Sequence, residues 1–579
     1  MGISVTPFDQ SRRLLRLDTV LGPDALVAVS LHGEEAMSEG FDYCLDVFSD
    51  TVHEIPAEKI VGTAINFALI QEDNSKRYFN GYISEVTAQG RSYGGQRSSY
   101  RLSVVPWLWF LGKSTDCRVF QEMTVEDVLK ELFAPLGSKA RFEFKLTQPH
   151  PEHRFLVQYN ETSLNFMHRL LRREGIAFYI EHQEDGHVIH FVDEAKSLPE
   201  LTPATLNLQA GSVGDRLISW EHQNAFATGR FSERSYNYKQ ADKVQEVETQ
   251  ASASLLKIPG VPDTEQYQYS ESYQTTTDGK ADVQWRRDQA TERHDKIIGT
   301  ASYRHLAAGR HFKVEQIPTG EWPDHGKEFT LSRLHLAVDN EESLFTASFE
   351  AIPKGELAFG KVEQTPLIAG LQTAVVTGPA GEEIHTDELG RIKVQFHWDR
   401  EGKHDDKTTC WLRVMHSFAG PGFGAHFTPR IGQEVVVAFE NGNPDRPFVL
   451  GALYHPIHKP PYAGEPTQSG IRTQSTKGGS SDNYNEIRFD DKKGSEHFYV
   501  QAEKDLEVYV KNDEKRKVDN DQEIGVKNNA EIKVGNKLKI HAGSEIEIVV
   551  GGSSIKLTGN KLQIGSAVVD IDGGTIQLN

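Results

Sequence analysis

From Glu496 onward the chain repeats itself every eight residues, and this period constrains its fold more than any other feature. The octads run EHFYVQAE, KDLEVYVK, NDEKRKVD, NDQEIGVK, NNAEIKVG, NKLKIHAG and SEIEIVVG. Their fifth positions are Val500, Val508, Arg516, Ile524, Ile532, Ile540 and Ile548. Their seventh positions are Ala502, Val510, Val518, Val526, Val534, Ala542 and Val550. One alternating face is therefore apolar in almost every repeat, while the other carries Lys, Glu and Asn, as strand periodicity requires. Asn or Gly stands at many repeat boundaries, where the backbone must turn. The phase slips near Ile555 and Leu557, recovers at Leu562 and Ile564, and is irregular near the end.

A fixed period of strand plus turn means a solenoid or a fibre. Eight residues are too few for one chain to wrap a three-sided β-helix turn. Three chains, each supplying one side, solve the problem and also pair strand edges that would otherwise be open. The expected architecture is thus a trimeric, intertwined β-helix with Val510, Val518, Ile524, Val526, Ile532, Val534, Ile540, Ile548 and Val550 in the shared core. About ten octads stacked about 4.8 Å apart give a shaft roughly 50 Å long. A single-chain meander or a disordered polar tail explains the pattern less well, because the phase holds over seven octads.

With 579 residues the chain is long enough for several domains. Its 49 glycines favour a mainly β chain with many turns. Residues 1–370 read as strands with a few helices: strands at Phe41–Phe48, Ile65–Ile70, Tyr100–Val105 and Ile176–Glu181, and helices at Thr124–Phe133, Ser163–Glu174 and about Lys280–Ile298. Residues 371–458 are dense in Gly and Pro, with short strands at Arg391–Trp398, Thr409–Met415 and Glu434–Glu440, the pattern of a small closed barrel. Residues 459–495 read as a linker and entrance to the octads of 496–579. A net charge of −20 argues against nucleic acid and anionic lipid as partners. Cys44, Cys117 and Cys410 lie far apart, with no CxxC pair. The N-terminus has no basic region followed by an apolar stretch, so no secretory signal is expected there. The most apolar window, Leu102–Leu111, is far short of a membrane span.

Several stretches together resemble one family. They are DELGRIKVQFHWDREG (387–402), CWLRV (410–414), AGPGFG (419–424), PRIGQEV (429–435) and NPDRP (443–447). YNETSLNFMHRLL (159–171) with EGI (174–176), and NEIRFDDKKG (485–494) with AEKDL (502–506), complete the set. In order and spacing they resemble the VgrG spikes of bacterial type VI secretion, which are similar to the fused hub and central spike of contractile phage tails. One departure is Asn443, where the family has an acidic residue before the Pro. The resemblance implies a β-barrel-rich hub, an OB-fold collar and a C-terminal needle. It also implies a homotrimer that docks on a ring of Hcp-type tube protein and a baseplate, and carries a PAAR-type tip protein with an attached effector. Such a spike folds in the cytoplasm, leaves through the secretion apparatus and pierces its target membrane mechanically, without inserting integrally. Thr575, Ile576, Gln577, Leu578 and Asn579 are the expected tip platform, with Ile576 and Leu578 on one strand face.

No catalytic, cofactor or metal site emerges from the residues. Gly112-Lys113-Ser114 looks like the end of a P-loop, but Trp107 stands where the first Gly belongs. Gly420, Gly422 and Gly424 lack a following helix. Seven histidines between His385 and His458, and His182, His187 and His190 on a hairpin, form no HExxH or HxH pattern between 385 and 458. The pairs Asp399/Arg400 and Asp445/Arg446 read as loop-fixing contacts. A spike-borne cell-wall hydrolase would need an extra domain. Only about 40 residues separate the barrel from the octads, and the chain ends at Asn579 still in strand-like alternation, so none is expected. A sugar-binding fibre would need exposed aromatics on the shaft, and no Phe, Tyr or Trp follows Tyr509. A phage tail spike of the same architecture remains an alternative on sequence alone.

Overall fold

The computed structural model describes residues 10–49, 55–92, 97–209, 215–270, 273–317, 322–361 and 364–558, together with Val568 and Thr575. The chain divides into two units, Met1–Glu503 and Lys504–Asn579.

Among the described residues of the first unit, one sheet of twelve strands forms the base. Several of its strands bury alternate residues. In Arg97–Val105, for example, Tyr100, Leu102 and Val104 point into the core while Arg101 stays outside. The strands Glu328–Asp339, His311–Ile317, Glu200–Gln209, Leu217–Asn224, Asp295–Ala301 and Leu344–Pro353 pair in that order, and the last returns to the first, closing a six-strand barrel. Glu328–Asp339 also pairs with Leu26–Ala36, which leads into the other half of the sheet.

A second core collects around the helices α1 (Val125–Phe133) and α2 (Ser163–Arg173). Thr124 caps α1 by accepting from Asp127 N, and Val125, Val128, Leu129 and Leu132 form its buried stripe. Thr162 caps α2 in the same way, accepting from Asn165 N at 3.1 Å. The helix ends at Gly175, whose φ of +67° favours glycine and whose missing Cβ leaves room for the Trp285 ring. The third helix, α3 (Thr276–Thr291), differs from the sequence expectation. Thr275 caps it by accepting from Asp278 N, so it starts four residues early. Residues 295–298, expected as its end, begin the barrel strand Asp295–Ala301, where Ile297, Gly299 and Ala301 face inward in strand alternation.

The collar sheet orders Lys393–Phe396, Gln372–Thr377, Glu434–Phe439 and Pro447–Leu453. Ala374, Val376, Val394, Phe396, Val435, Val437 and Val449 fill its core, joined by Phe155 and Val157 from the base. The expected strand Thr409–Met415 is reduced to two isolated bridges, Ile392 with Leu412 and Val414 with Val449. Its ladder is interrupted because the Thr409 hydroxyl accepts the Val394 N–H at 3.0 Å. The stretch 467–485, read as polar linker, contains the strand Gln468–Arg472, which pairs with Glu486–Asp490 and then His497–Gln501. Among the described residues no helix is long and apolar enough to cross a membrane.

Candidate functional site

The three-stranded sheet of Gln468–Arg472, Glu486–Asp490 and His497–Gln501 shows how the octads begin. Ile471, Ile487 and Val500 lie side by side across it, and so do Phe489 and Phe498, whose rings stack at 5.1 Å. All five side chains are exposed, so this sheet presents a bare apolar face. Phe498 and Val500 are the third and fifth residues of the first octad, so these two positions share one face.

In the second unit the expected core residues are uncovered. Val510, Val518, Ile524, Val526, Ile532, Val534, Ile540, Ile548 and Val550 are between 46% and 79% exposed in the single chain. Residues 504–544 form no strand, and among the described residues none of them makes a backbone–backbone hydrogen bond. From 504 to 544 both the apolar stripe and the backbone polar groups therefore lack partners within the chain; water hydrates the exposed backbone, but a Val and Ile stripe of this length marks an interaction surface. Glu545–Val550 and Ser553–Thr558 do pair, as a hairpin turning at Gly551-Gly552, which places Ile548 opposite Ile555 and Ile546 opposite Leu557. Of the expected tip platform, Thr575 is described and exposed, while Ile576, Gln577, Leu578 and Asn579 lie outside the described residues.

The residues that looked most like chemistry have structural partners. Lys113 sits 3.9 Å over the Trp109 ring at the end of the 3-10 helix Trp107–Lys113. His187 accepts the Trp107 N–H at 3.2 Å, and burial lowers its ring to about 3. His182 lies 3.0 Å from the Tyr43 hydroxyl, and burial holds its pKa far below the usual histidine range. Burial pushes the Cys410 thiol up to about 12, away from thiolate chemistry. Among the described residues no group of three or more His, Cys, Asp or Glu is placed to hold a metal.

The Asp–Arg pairs divide their work. Asp445 Oδ1 accepts the Val157 N–H at 2.8 Å, and its Oδ2 lies 3.3 Å from Arg173, which ties the collar to the base. Arg400 reaches across to Asp116. Asp399 instead closes its own loop by accepting from Glu401 N and Gly402 N, and Arg446 holds Glu440 at 3.1 Å.

One cluster was missed in the sequence. Glu174 lies 3.2 Å from His150 Nδ1 and 3.0 Å from His153 Nε2, and His150 Nε2 is 3.5 Å from Asp193. Burial opposes the Glu174 charge, but the hydrogen bonds from His150 and His153 outweigh it and hold the carboxyl down at about 2. Burial likewise opposes a charge on His150, and the carboxylates of Glu174 and Asp193 together outweigh it, raising the imidazole above its usual value. The only signal in the sequence was two histidines in a Pro-rich loop, Gln148–Arg154.

Comparison with known proteins decides what this arrangement belongs to. Three sequence profiles match in chain order: phage tail baseplate hub (GPD) over residues 34–342, type VI secretion system/phage-baseplate injector OB domain over 373–454, and bacteriophage T4 gp5 C-terminal trimerisation domain over 469–568. The type VI secretion system spike protein VgrG1b of Pseudomonas aeruginosa is 33% identical over 87% of this chain and 69% of its own length. The chain belongs to the VgrG family. VgrG1a of the same organism is 32% identical over 87% of the chain and 79% of its own length. VgrG3 of Vibrio cholerae is 27% identical over 85% of the chain and half of its own length. Among solved structures, an Escherichia coli type VI secretion component described as similar to T4 tail proteins gp27 and gp5 superposes with a TM-score of 0.54 at 18% identity, covering 76% of this chain and 99% of that one. The VgrG of a Francisella PdpA–VgrG complex superposes with a TM-score of 0.53 at 10% identity, covering 82% and 84%. At these identities the two structures establish the VgrG fold for residues of this chain and nothing finer.

Proposed function

We propose that this chain is one of three identical subunits of a type VI secretion spike that works mechanically and carries no reaction of its own. The observation that carries the reading is the exposed octad stripe, which falls within the residues that match a trimerisation domain. Three copies give each of its strands a neighbour above, below and across the axis, with Val510, Val518, Ile524, Val526, Ile532, Val534, Ile540, Ile548 and Val550 in the shared core. In this reading residues 1–370 are the base that sits on a Hcp-type tube ring and the baseplate, and 371–458 are the collar. Residues 459–495 lead into the needle of 496–579, and Thr575–Asn579 are the platform for a PAAR-type tip protein and its effector. A dry core with a continuous backbone ladder is stiff and slow to unfold, which a piercing device requires.

The spike leaves the cell folded, through the secretion apparatus. The test is deletion and complementation in the source bacterium: loss of the chain should abolish release of tube protein and killing of neighbours. The wild-type chain restores both and Ile540→Asp restores neither. Restoration by Ile540→Asp contradicts the reading. Purified chain should leave peptidoglycan, lipid, nucleic acid and actin unchanged, and turnover lost on a point mutation in this chain overturns the non-enzymatic assignment.

A further inference from the structure

The apolar stripe has one interruption. At the fifth octad position Arg516 stands where the other repeats have Val or Ile. At the third position the repeats carry Phe498, Leu506, Glu514, Gln522, Ala530, Leu538 and Ile546, so the acidic exception falls in the same octad as the basic one. The sheet containing the first octad puts third and fifth positions on one face, since Phe498 pairs with Phe489 and Val500 with Ile487. The hairpin repeats the arrangement with Ile546 and Ile548, opposite Leu557 and Ile555. Glu514 and Arg516 therefore sit on the face that the other octads use for apolar contact, where Gln522 is uncharged and the remaining third and fifth positions are apolar. Both are exposed in the single chain. The outer face of the same octad carries Lys515 and Lys517, and Lys517 already has Asp519 at 2.6 Å.

We propose that Glu514 and Arg516 of three copies of this chain form a closed layer of interchain ion pairs inside the needle, and that this layer fixes the register of the three chains. The proposal rests on the octad reading of the trimer given above. Residues two apart on a strand are separated by about 6.6 Å, within the reach of an arginine side chain. The forked guanidinium can bind carboxylates of its own and of the next strand together. Three of each charge balance, so the layer is neutral as a whole. A slip of one octad sets Arg516 against Val508 or Ile524, and Glu514 against Leu506 or Gln522. Each charge then keeps the partner on its own strand but loses the one on the next chain, so the layer no longer closes, which is far worse than a mismatch between Val and Ile. The apolar octads alone resist such a slip poorly, because Val and Ile recur at nearly every level. A single polar layer in an apolar stack is a known way to specify register at some cost in stability.

The test uses the full chain and its subunit exchange, read by mixing two differently labelled trimer populations. Glu514→Gln and Arg516→Met each raise the exchange rate at least tenfold, because each leaves three buried charges unpaired. The double variant Glu514→Leu/Arg516→Ile returns exchange to the wild-type rate or slower. Spin labels on an outer-face cysteine at Lys533, in a background lacking the native cysteines, give one interchain distance in the wild type and additional distances in the double variant. Single variants that exchange like the wild type, a double variant no better than the worse single, or one distance in both proteins each overturn the proposal. Ile540→Asp is run beside them. If it alone abolishes the trimer, the octad reading stands whatever happens at 514 and 516. If it too is harmless, the octad reading fails first.

Discussion

Replacing Ile540 with aspartate sets the needle against its own core. Ile540 is 69% exposed in the single chain, so most of its burial must come from neighbouring copies. Burying an isoleucine side chain contributes about 1.5–3 kcal/mol, which the substitution forfeits in each chain. It also places three carboxylates at one level of the axis, and the effective cost of burying an unpaired ion is roughly several kcal/mol. Taking about 5 kcal/mol per chain, the trimer loses on the order of 15 kcal/mol, comparable to the whole stability of a folded domain. The trimer should therefore not form. Lys539→Asp is the control: Lys539 lies one residue away on the outer face, where an exchanged surface charge changes stability by about 0–1 kcal/mol. Sedimentation of the two variants at equal concentration gives trimers for Lys539→Asp and monomers or aggregates for Ile540→Asp. Equal behaviour of the two, in either direction, refutes the alternation on which the octad argument depends.

Glu174→Gln removes the negative charge and turns one of the two oxygens facing His150 and His153 into an NH2 donor, so the base should lose about 3 kcal/mol, read as a fall in its melting temperature. The same cluster sets a pH window. The Glu174 contribution is present above about 4.5 and lost as pH falls toward 2, while the His150 contribution is complete below 6.5 and lost as pH rises through its raised value. Melting in the wild type, compared with Glu174→Gln, should differ most between those limits, and a pH-independent difference contradicts the pairing. Asp445→Ala leaves Val157 N without its acceptor and removes the carboxylate that faces Arg173, at a cost of about 2 kcal/mol, seen as faster amide exchange around Val157. Deleting Thr575–Asn579 abolishes tip-protein binding and leaves the trimer intact, and unchanged binding moves the platform elsewhere.

What the sequence made legible depended on spacing along the chain. The octads were readable because apolar residues at fixed intervals define a face without any knowledge of tertiary contacts. The start of α1 was readable for the same reason, since Thr124 acts on a residue three positions away, whereas the Thr162 cap of α2 is a finding of the structure. The start of α3 was misplaced because its polar first turn hides the Thr275–Asp278 cap among other hydrophilic residues. The bridged segment Thr409–Met415 looked like a strand because alternation cannot show that a hydroxyl has replaced a ladder bond. The His150–Glu174 cluster was invisible, since its members are 24 residues apart and meet only when the loop folds over the end of α2. Gln468–Arg472 escaped because it is short, polar and exposed, with Ile471 as its single apolar marker.

The central claim is that the needle exists only as three chains wound together. The most direct test is the mass of the purified full-length chain by light scattering, followed on dilution to nanomolar concentration. The account predicts a particle of three times 64.9 kDa that persists on dilution for hours. A folded species of 64.9 kDa with its C-terminal amides protected from exchange would contradict it.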